Sequence, residues 1–181
     1  MNEINPCNKI YKEYLFESLM ILLKDNPFNK ISITDIAKKA GVSRMTYYRY
    51  YKNKEDIIRV HINDIFSDVN EYISENNDLP ADKKLGYYFT RMNKEKCFIN
   101  NLVTCGLIGI FKTDIVDLVT LMIDKIINYH SDTKRNKMYA FFIAGGIISY
   151  NIMVSCSDEE YTIDELVSTT LDMINNENIF I

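Results

Sequence analysis

The chain has 181 residues, of which 47% are apolar and 25% charged, so it can bury a sizeable core and has the make-up of an ordinary folded protein. Its net charge of −4 is unevenly placed: residues 1–60 hold 11 Lys and Arg against 7 Asp and Glu, a net of +4, while residues 61–181 hold 10 against 18, a net of −8. Overall acidity therefore does not exclude a polyanionic partner for the first third of the chain. Cys7, Cys97, Cys105 and Cys156 have no CxxC spacing and no paired histidines, which argues against a metal site, a bound cofactor or a disulfide framework. Buried free thiols in a reducing cytoplasm are expected, with a redox-sensing thiol as the alternative. The polar N-terminus MNEINPCNKIYKEY does not read as a signal peptide. The most apolar run, Met138 to Ile148, is shorter than the roughly 20 residues that a bilayer span takes.

In chain order, residues 8–24 are predicted to form a helix with Leu15, Leu19 and Leu22 on one face and Phe16, Met20 and Leu23 beside it. Asn26-Pro27 stops it, because a residue before proline is pushed out of the helical region. Phe28 and Ile31 return the chain to the same small core, and Lys30 is left to face either a phosphate or solvent. Ser32 with Asp35 forms a capping pair that opens a short helix carrying Ile36, Ala37 and Ala40. Gly41 ends that helix by turning through positive φ, and Val42 drops an apolar side chain between two steeply crossing helices. Ser43 caps a second short helix, about Arg44 to Tyr51, with little aliphatic content but with Arg, Thr and four tyrosines. Such a surface suits phosphates and base edges, although two short helices around a glycine turn also make a plain αα-hairpin. Asn53, followed by Glu55 and Asp56, caps a third helix.

That third helix is predicted from Lys54 to about Asn76, with Ile58, Ile62, Ile65, Phe66, Val69 and Ile73 at helical spacing and His61 packed or exposed on it. NNDLPA at 76–81 breaks the chain. Leu85, Tyr88, Phe89 and Met92 mark the next helix, and Cys97, Phe98, Leu102 and Val103 a shorter one. Gly106 and Gly109 interrupt the pattern, in a GLIG that lacks the residues of a phosphate loop. A helix opening at Thr113 and Asp114 carries Ile115, Val119, Met122 and Ile126 to about His130, and the polar loop SDT follows. Residues 134–156 form a helix apolar on every side over Met138–Ile148, tolerable only if covered on every side. Gly145 and Gly146 inside it cost about 1 kcal/mol each relative to Ala, which calls for close approach of another helix. Thr162 with Glu165 caps a last helix whose face is Ile163, Leu166, Val167, Leu171 and Ile174. The predicted fold class is all-α, with about nine helices.

Ile36-Ala37, Ala40-Gly41-Val42-Ser43, Thr46, Tyr48, Tyr50-Tyr51 and Asn53-Lys54-Glu55 resemble the helix-turn-helix pattern of the TetR/AcrR family of bacterial regulators. The resemblance covers about fifty N-terminal residues. Tyr47 stands where the family has a smaller apolar residue, and Tyr50 where His and Tyr alternate. It implies a DNA-binding domain over residues 1–53 and a helical ligand-sensing and dimerisation domain over 54–181.

Both the residues and the resemblance assign DNA contact to Thr34, Arg44, Met45, Thr46, Tyr48, Tyr50 and Lys54. Arg44, Met45 and Thr46 in the first turn reach base edges, where Arg pairs with guanine and Met or the Thr methyl touches a thymine methyl. Tyr48, Tyr50, Lys54 and Thr34 contact phosphates, whereas Tyr47 and Tyr51 pack inward. One such helix reads too few base pairs, so a homodimer on a pseudo-palindromic operator is expected, paired through 134–156 and 162–175. Tyr88, Phe89, Met92, Phe111, Met122 and Tyr150 are candidates to line a pocket for a small apolar ligand, though core packing explains them equally well. The expected function is a dimeric, ligand-responsive repressor. The alternative is a TetR-like coactivator or protein-partnered DNA binder without an inducer. An enzyme finds no support, since HExxH, GxSxG and a dinucleotide turn are all missing from the sequence.

Overall fold

The computed structural model describes residues 6–127 and 134–175, with side chains except at residues 6–9, 111, 113, 127 and 136. The described residues form nine helices of seven or more residues, one 3₁₀ turn and no strand, the all-α architecture expected. The helices are α1 (Pro6–Asp25), α2 (Ile33–Lys39), α3 (Arg44–Tyr50), α4 (Lys54–Glu75), α5 (Ala81–Asn93), α6 (Lys96–Thr104), α7 (Ile108–Ile127), α8 (Lys134–Cys156) and α9 (Ile163–Asn175). The expected features at His130 and the SDT loop, and the side chains of Cys7, Phe111 and Thr113, lie outside what is described. The chain divides into two compact units, one ending at Asp64 and one beginning at Ile65. That division falls inside α4, later than the boundary drawn from sequence before Lys54. The first turns of α4 belong with the head because Ile57, Ile58 and Ile62 are buried and His61 stacks on Phe16 of α1 at 3.7 Å.

In the first unit, Leu15, Leu19 and Leu23 of α1 are buried together with Phe28, Ile31, Ile36 and Ala37, and α1 packs on α2. Phe28–Lys30 forms a single 3₁₀ turn after Pro27, which brings Phe28 and Ile31 inward as the alternation of polar and apolar residues requires.

In the second unit, α8 packs on α7 and α6, and α5 packs on α9 and α7. Polar bonds fix these pairings: Tyr139 Oη donates to the Ile174 carbonyl at 2.8 Å, and Asn151 Nδ2 donates to Tyr88 Oη at 2.6 Å. Burial raises the Tyr88 pKa, opposed by the Asn151 bond. Arg91 ion-pairs with Asp68 at 2.8 Å and with Glu95, tying α5 to α4 and to the start of α6.

Three expectations are corrected here. The helix placed from Thr113 begins at Ile108, because only Gly106 has a positive φ of 67° while Gly109 lies within the first turn of α7. At Gly106 the Leu107 N–H reaches back to the Leu102 carbonyl at 2.7 Å and Gly106 N–H to Val103 at 3.0 Å, a Schellman stop sealed by buried Leu102 and Leu107. Second, the thiols are not buried: Cys97 and Cys156 are exposed and Cys105 is half-buried. Third, the run in α8 is not covered on every side by the described residues. Met138, Phe141 and Phe142 are 65%, 59% and 64% exposed, and among the described residues outside the local helix backbone no atom lies within 4 Å of a Cβ built on Gly145 or Gly146.

The apolar stretch is also longer than read from sequence. Lys137–Cys156 meets the length and composition of a membrane span. It packs on α7 and α6 through buried Ala140, Ala144 and Ile147, and 28% of the span is buried. Its exposed face and α9 border a groove of about 680 Å³ lined by Phe142, Gly146, Tyr150, Met153, Thr169 and Met173 among others.

Candidate nucleic-acid interface

The α2–α3 pair is set by three local devices. At Ser32, the side chain accepts from the Asp35 N–H at 3.1 Å while the Asp35 carboxylate accepts from the Ser32 N–H at 2.9 Å and its hydroxyl at 2.6 Å, a complete capping box. These bonds from Ser32 hold the Asp35 pKa below its ordinary value. At the other end, Gly41 at φ 67° lets Val42 N–H return to the Ala37 carbonyl at 2.9 Å and Gly41 N–H to Lys38 at 3.2 Å. This Schellman stop ends α2 within one residue and redirects the chain into Ser43. Ser43 then caps α3, its hydroxyl accepting from the Thr46 N–H at 3.0 Å.

The helix so positioned has two unlike faces. Tyr47 and Tyr51 are 0% and 3% exposed and pack inward as expected. Tyr47, at the position where sequence reading placed a smaller residue, touches both neighbouring rings at 5.5 and 5.8 Å between centroids, and its hydroxyl is buried without a hydrogen-bond partner. Burial, with Asp56 and Glu55 nearby, raises its pKa. On the opposite face Arg44, Met45, Tyr48 and Arg49 are exposed, Met45 at 82%. The Arg44 guanidinium lies 5.9 Å from the Tyr48 ring centroid, an i, i+4 cation–π contact that restrains a long side chain.

The remaining candidates are placed as follows. Thr34 is exposed in the first turn of α2, and Tyr50 stacks on Tyr11 of α1 at 6.4 Å. Tyr11 was missed because α1 and α3 meet only in three dimensions; the Arg44–Tyr48 contact was available from its four-residue spacing. Lys54 reaches back to the turn after α1. Its ammonium donates to the Phe28 carbonyl and, at 2.9 Å, to the Ile31 carbonyl, and sits 4.4 Å from the Phe28 ring centroid. Two of its three donors are thus spent inside the head. Behind it Asn53 accepts from the Asp56 N–H at 2.9 Å, and the Asp56 carboxylate accepts from the Lys52 N–H at 2.9 Å, so α4 is capped as the sequence indicates.

Among the pocket candidates, the Phe89 ring meets those of Tyr88 and Tyr150 at 5.2 and 6.3 Å between centroids. Tyr88, Phe89 and Met122 are 0%, 2% and 0% exposed and packed in the second unit, Met92 is half-buried, and Tyr150 lines the groove beside α9.

Residues 15–60 match the family profile of bacterial regulatory proteins of the tetR family. The HTH-type transcriptional regulator EthR of Mycobacterium tuberculosis is 34% identical over 61 residues, which is 34% of this chain and 28% of EthR. The dhaKLM operon transcriptional activator DhaS of Lactococcus lactis is 28% identical over 69 residues, 38% of this chain and 35% of DhaS. The matched stretch thus spans about a third of those curated relatives. Among solved structures, Lin0861 from Listeria innocua superposes with a TM-score of 0.75 at 21% identity over 96% of this chain and 94% of that one. A dihydroxyacetone kinase operon activator DhaS gives 0.67 at 17% identity over 92% and 94%. Thermus thermophilus FadR, a repressor solved in complex with lauroyl-CoA, gives 0.53 at 15% identity over 90% and 92%. The head over residues 15–60 thus carries the sequence pattern of the bacterial regulatory proteins of the tetR family, and the chain shares its all-helical fold with these solved structures along nearly its whole length.

Proposed function

We propose that the protein is a cytoplasmic, sequence-specific DNA-binding transcriptional regulator without enzymatic activity, acting as a homodimer on an inverted-repeat operator. The observation that carries this is the two-faced α3: a sealed aromatic face of Tyr47 and Tyr51 fixes it to the head, and an opposite face presents Arg44, Met45 and Tyr48 to the outside. Arg44, Met45 and Thr46 read base edges, and Tyr48, Tyr50 and Thr34 touch phosphates and set register. Lys54 supports from behind, holding the start of α4 to the loop after α1. The dimer forms through α8 and α9, whose exposed Met138, Phe141, Phe142, Met153 and Met173 form an apolar surface a monomer rarely leaves open.

The regulator acts as a repressor released by a small, largely apolar ligand. FadR bound to lauroyl-CoA supports that class of ligand for this fold. Ligand binding shifts the population toward a conformation whose head spacing mismatches the operator, with α4 as the connecting rod. A second reading, in which the protein works without a small molecule or as an activator, is favoured by two observations. Tyr88, Phe89 and Met122 are packed without exposed surface, and DhaS is named an activator.

Capture of fragmented genomic DNA by the full chain tests the DNA-binding proposal. Enrichment of an inverted repeat with half-sites about 10 base pairs apart, or a multiple of that, is expected. Recovery of fragments without a shared motif contradicts it. Thermal shift against medium- and long-chain acyl compounds separates the two readings, since only a ligand sensor gains stability through linkage.

A further inference from the structure

We infer that Asp68, held by Tyr87 and Arg91, sets how α4 is seated in the body and thereby the half-site spacing that the protein accepts on its operator. This rests on the reading of the protein as a dimer on an inverted repeat. The second half of α4 is fixed in two different ways. Ile65, Phe66, Val69 and Ile73 are buried, an apolar contact that resists separation but has little direction of its own. The contacts to α5 are directional. Asp68 and Tyr72, one turn apart on α4, meet Tyr87 and Arg91, one turn apart on α5. The Tyr87 hydroxyl donates to Asp68 Oδ1 at 3.0 Å and Arg91 Nε to Asp68 Oδ2 at 2.8 Å, while the Tyr72 and Tyr87 rings lie parallel at 3.6 Å between centroids.

Asp68 is where this seating is decided. Its two carboxylate oxygens are used by different α5 side chains, so neither a slide nor a rotation of α4 leaves both bonds intact. The Arg91 guanidinium is also paired with Glu95, so the donor does not follow a moving α4. From α7, Lys125 Nζ donates to Asn70 at 3.1 Å. α4 is one unbroken helix from Lys54 to Glu75, and at 1.5 Å per residue Asp68 lies about 21 Å along it from Lys54. A tilt of about 10° at Asp68 displaces that end by about 3.6 Å, close to the rise of one base pair of about 3.4 Å. A small change of seating is therefore read out as a change of spacing.

The test uses the full chain, the captured operator with its spacer lengthened or shortened by one base pair, and a duplex carrying a single half-site. Asp68→Ala is expected to keep the fold, because the Asp68 side chain is 47% exposed and Arg91 retains Glu95. The unaltered protein is expected to prefer the captured spacing at least about tenfold over either neighbour, and Asp68→Ala to lower that preference about fivefold with half-site affinity unchanged. Tyr87→Phe, which removes one of the two bonds, is expected to lower it by less. Ile73→Val loosens only the apolar side of α4, and is expected to lower the melting temperature and leave the preference as it was. A preference that survives Asp68→Ala, or that Ile73→Val lowers as far, overturns the inference and leaves the DNA-binding reading standing. Failure of the unaltered protein to bind either the operator or the half-site overturns both.

Discussion

The open face of α3 in the head and the α8–α9 face of the body differ in make-up. In the head Leu15, Leu19, Ile36, Tyr47 and Ile58 have no exposed surface, and α3 exposes a mixture of Arg44, Met45, Tyr48 and Arg49. In α8 the apolar residues outnumber what the chain can cover, so Phe141 and Phe142 remain about as exposed as surface residues. Glycines make the same contrast. Gly41 is used up by a positive φ within the chain, whereas Gly145 and Gly146 have ordinary helical φ and open space above them.

The largest effect should come from blocking the open face. Gly146→Glu adds a side chain where the chain has no neighbour, and replacing a mid-helix glycine favours the helix by about 1 kcal/mol. The fold is therefore expected to survive while sedimentation shifts from dimer to monomer. Operator affinity should then fall by about 10²–10⁴, the loss of bivalent engagement. A dimer that persists with unchanged affinity would place the interface elsewhere.

On the head, Arg44→Ala is expected to cost about 1–3 kcal/mol on the operator and much less on random DNA, with melting temperature unchanged. Equal losses on both would make Arg44 a phosphate contact. Lys54→Met should behave in the opposite way. Two bonds from its ammonium to the Phe28 and Ile31 carbonyls are lost, so the head is expected to lose about 1.5 kcal/mol of stability. The salt dependence of DNA binding should stay the same, whereas a phosphate contact would lower the slope by about 1.

Much of the head was legible in the sequence because its instructions are local. Ser32 and Asp35, Gly41, Ser43 and Asn53 each act within a few residues, and each cap forms where the residue types place it. Lys54 was not legible in the same way. Its partners lie 23 and 26 residues earlier, and nothing in the local pattern distinguishes an ammonium facing carbonyls from one facing phosphate. The start of α7 was misread for a related reason: two glycines three residues apart look alike in sequence, and only Gly106 adopts the turn. The body's aromatic residues resisted assignment because a packed ring and a pocket-lining ring have the same composition. Tertiary packing put Tyr88 and Phe89 inside and left Tyr150 beside the groove.

Smaller effects sharpen the contrast within the head itself. Tyr47→Phe removes a buried hydroxyl that has no partner, so stability is expected to rise by about 1 kcal/mol with DNA affinity unchanged. A fall in stability would mean that the hydroxyl is bonded after all. The weakest effect is on pH. Bonds from Ser32 hold the Asp35 carboxyl below its ordinary value of 3.8. The capping box therefore stabilises fully above that value and is lost as pH falls through the lowered one. Asp35→Asn should make the helicity of the head less sensitive to pH in that range, as followed by circular dichroism.

We propose that the open face of α3 reads a DNA sequence. The most direct test is fluorescence anisotropy of the full chain with the captured operator and with a scrambled duplex of equal length and composition, at physiological salt. The operator is expected to bind at least about 10³-fold more tightly. Equal affinity for the two duplexes would contradict it.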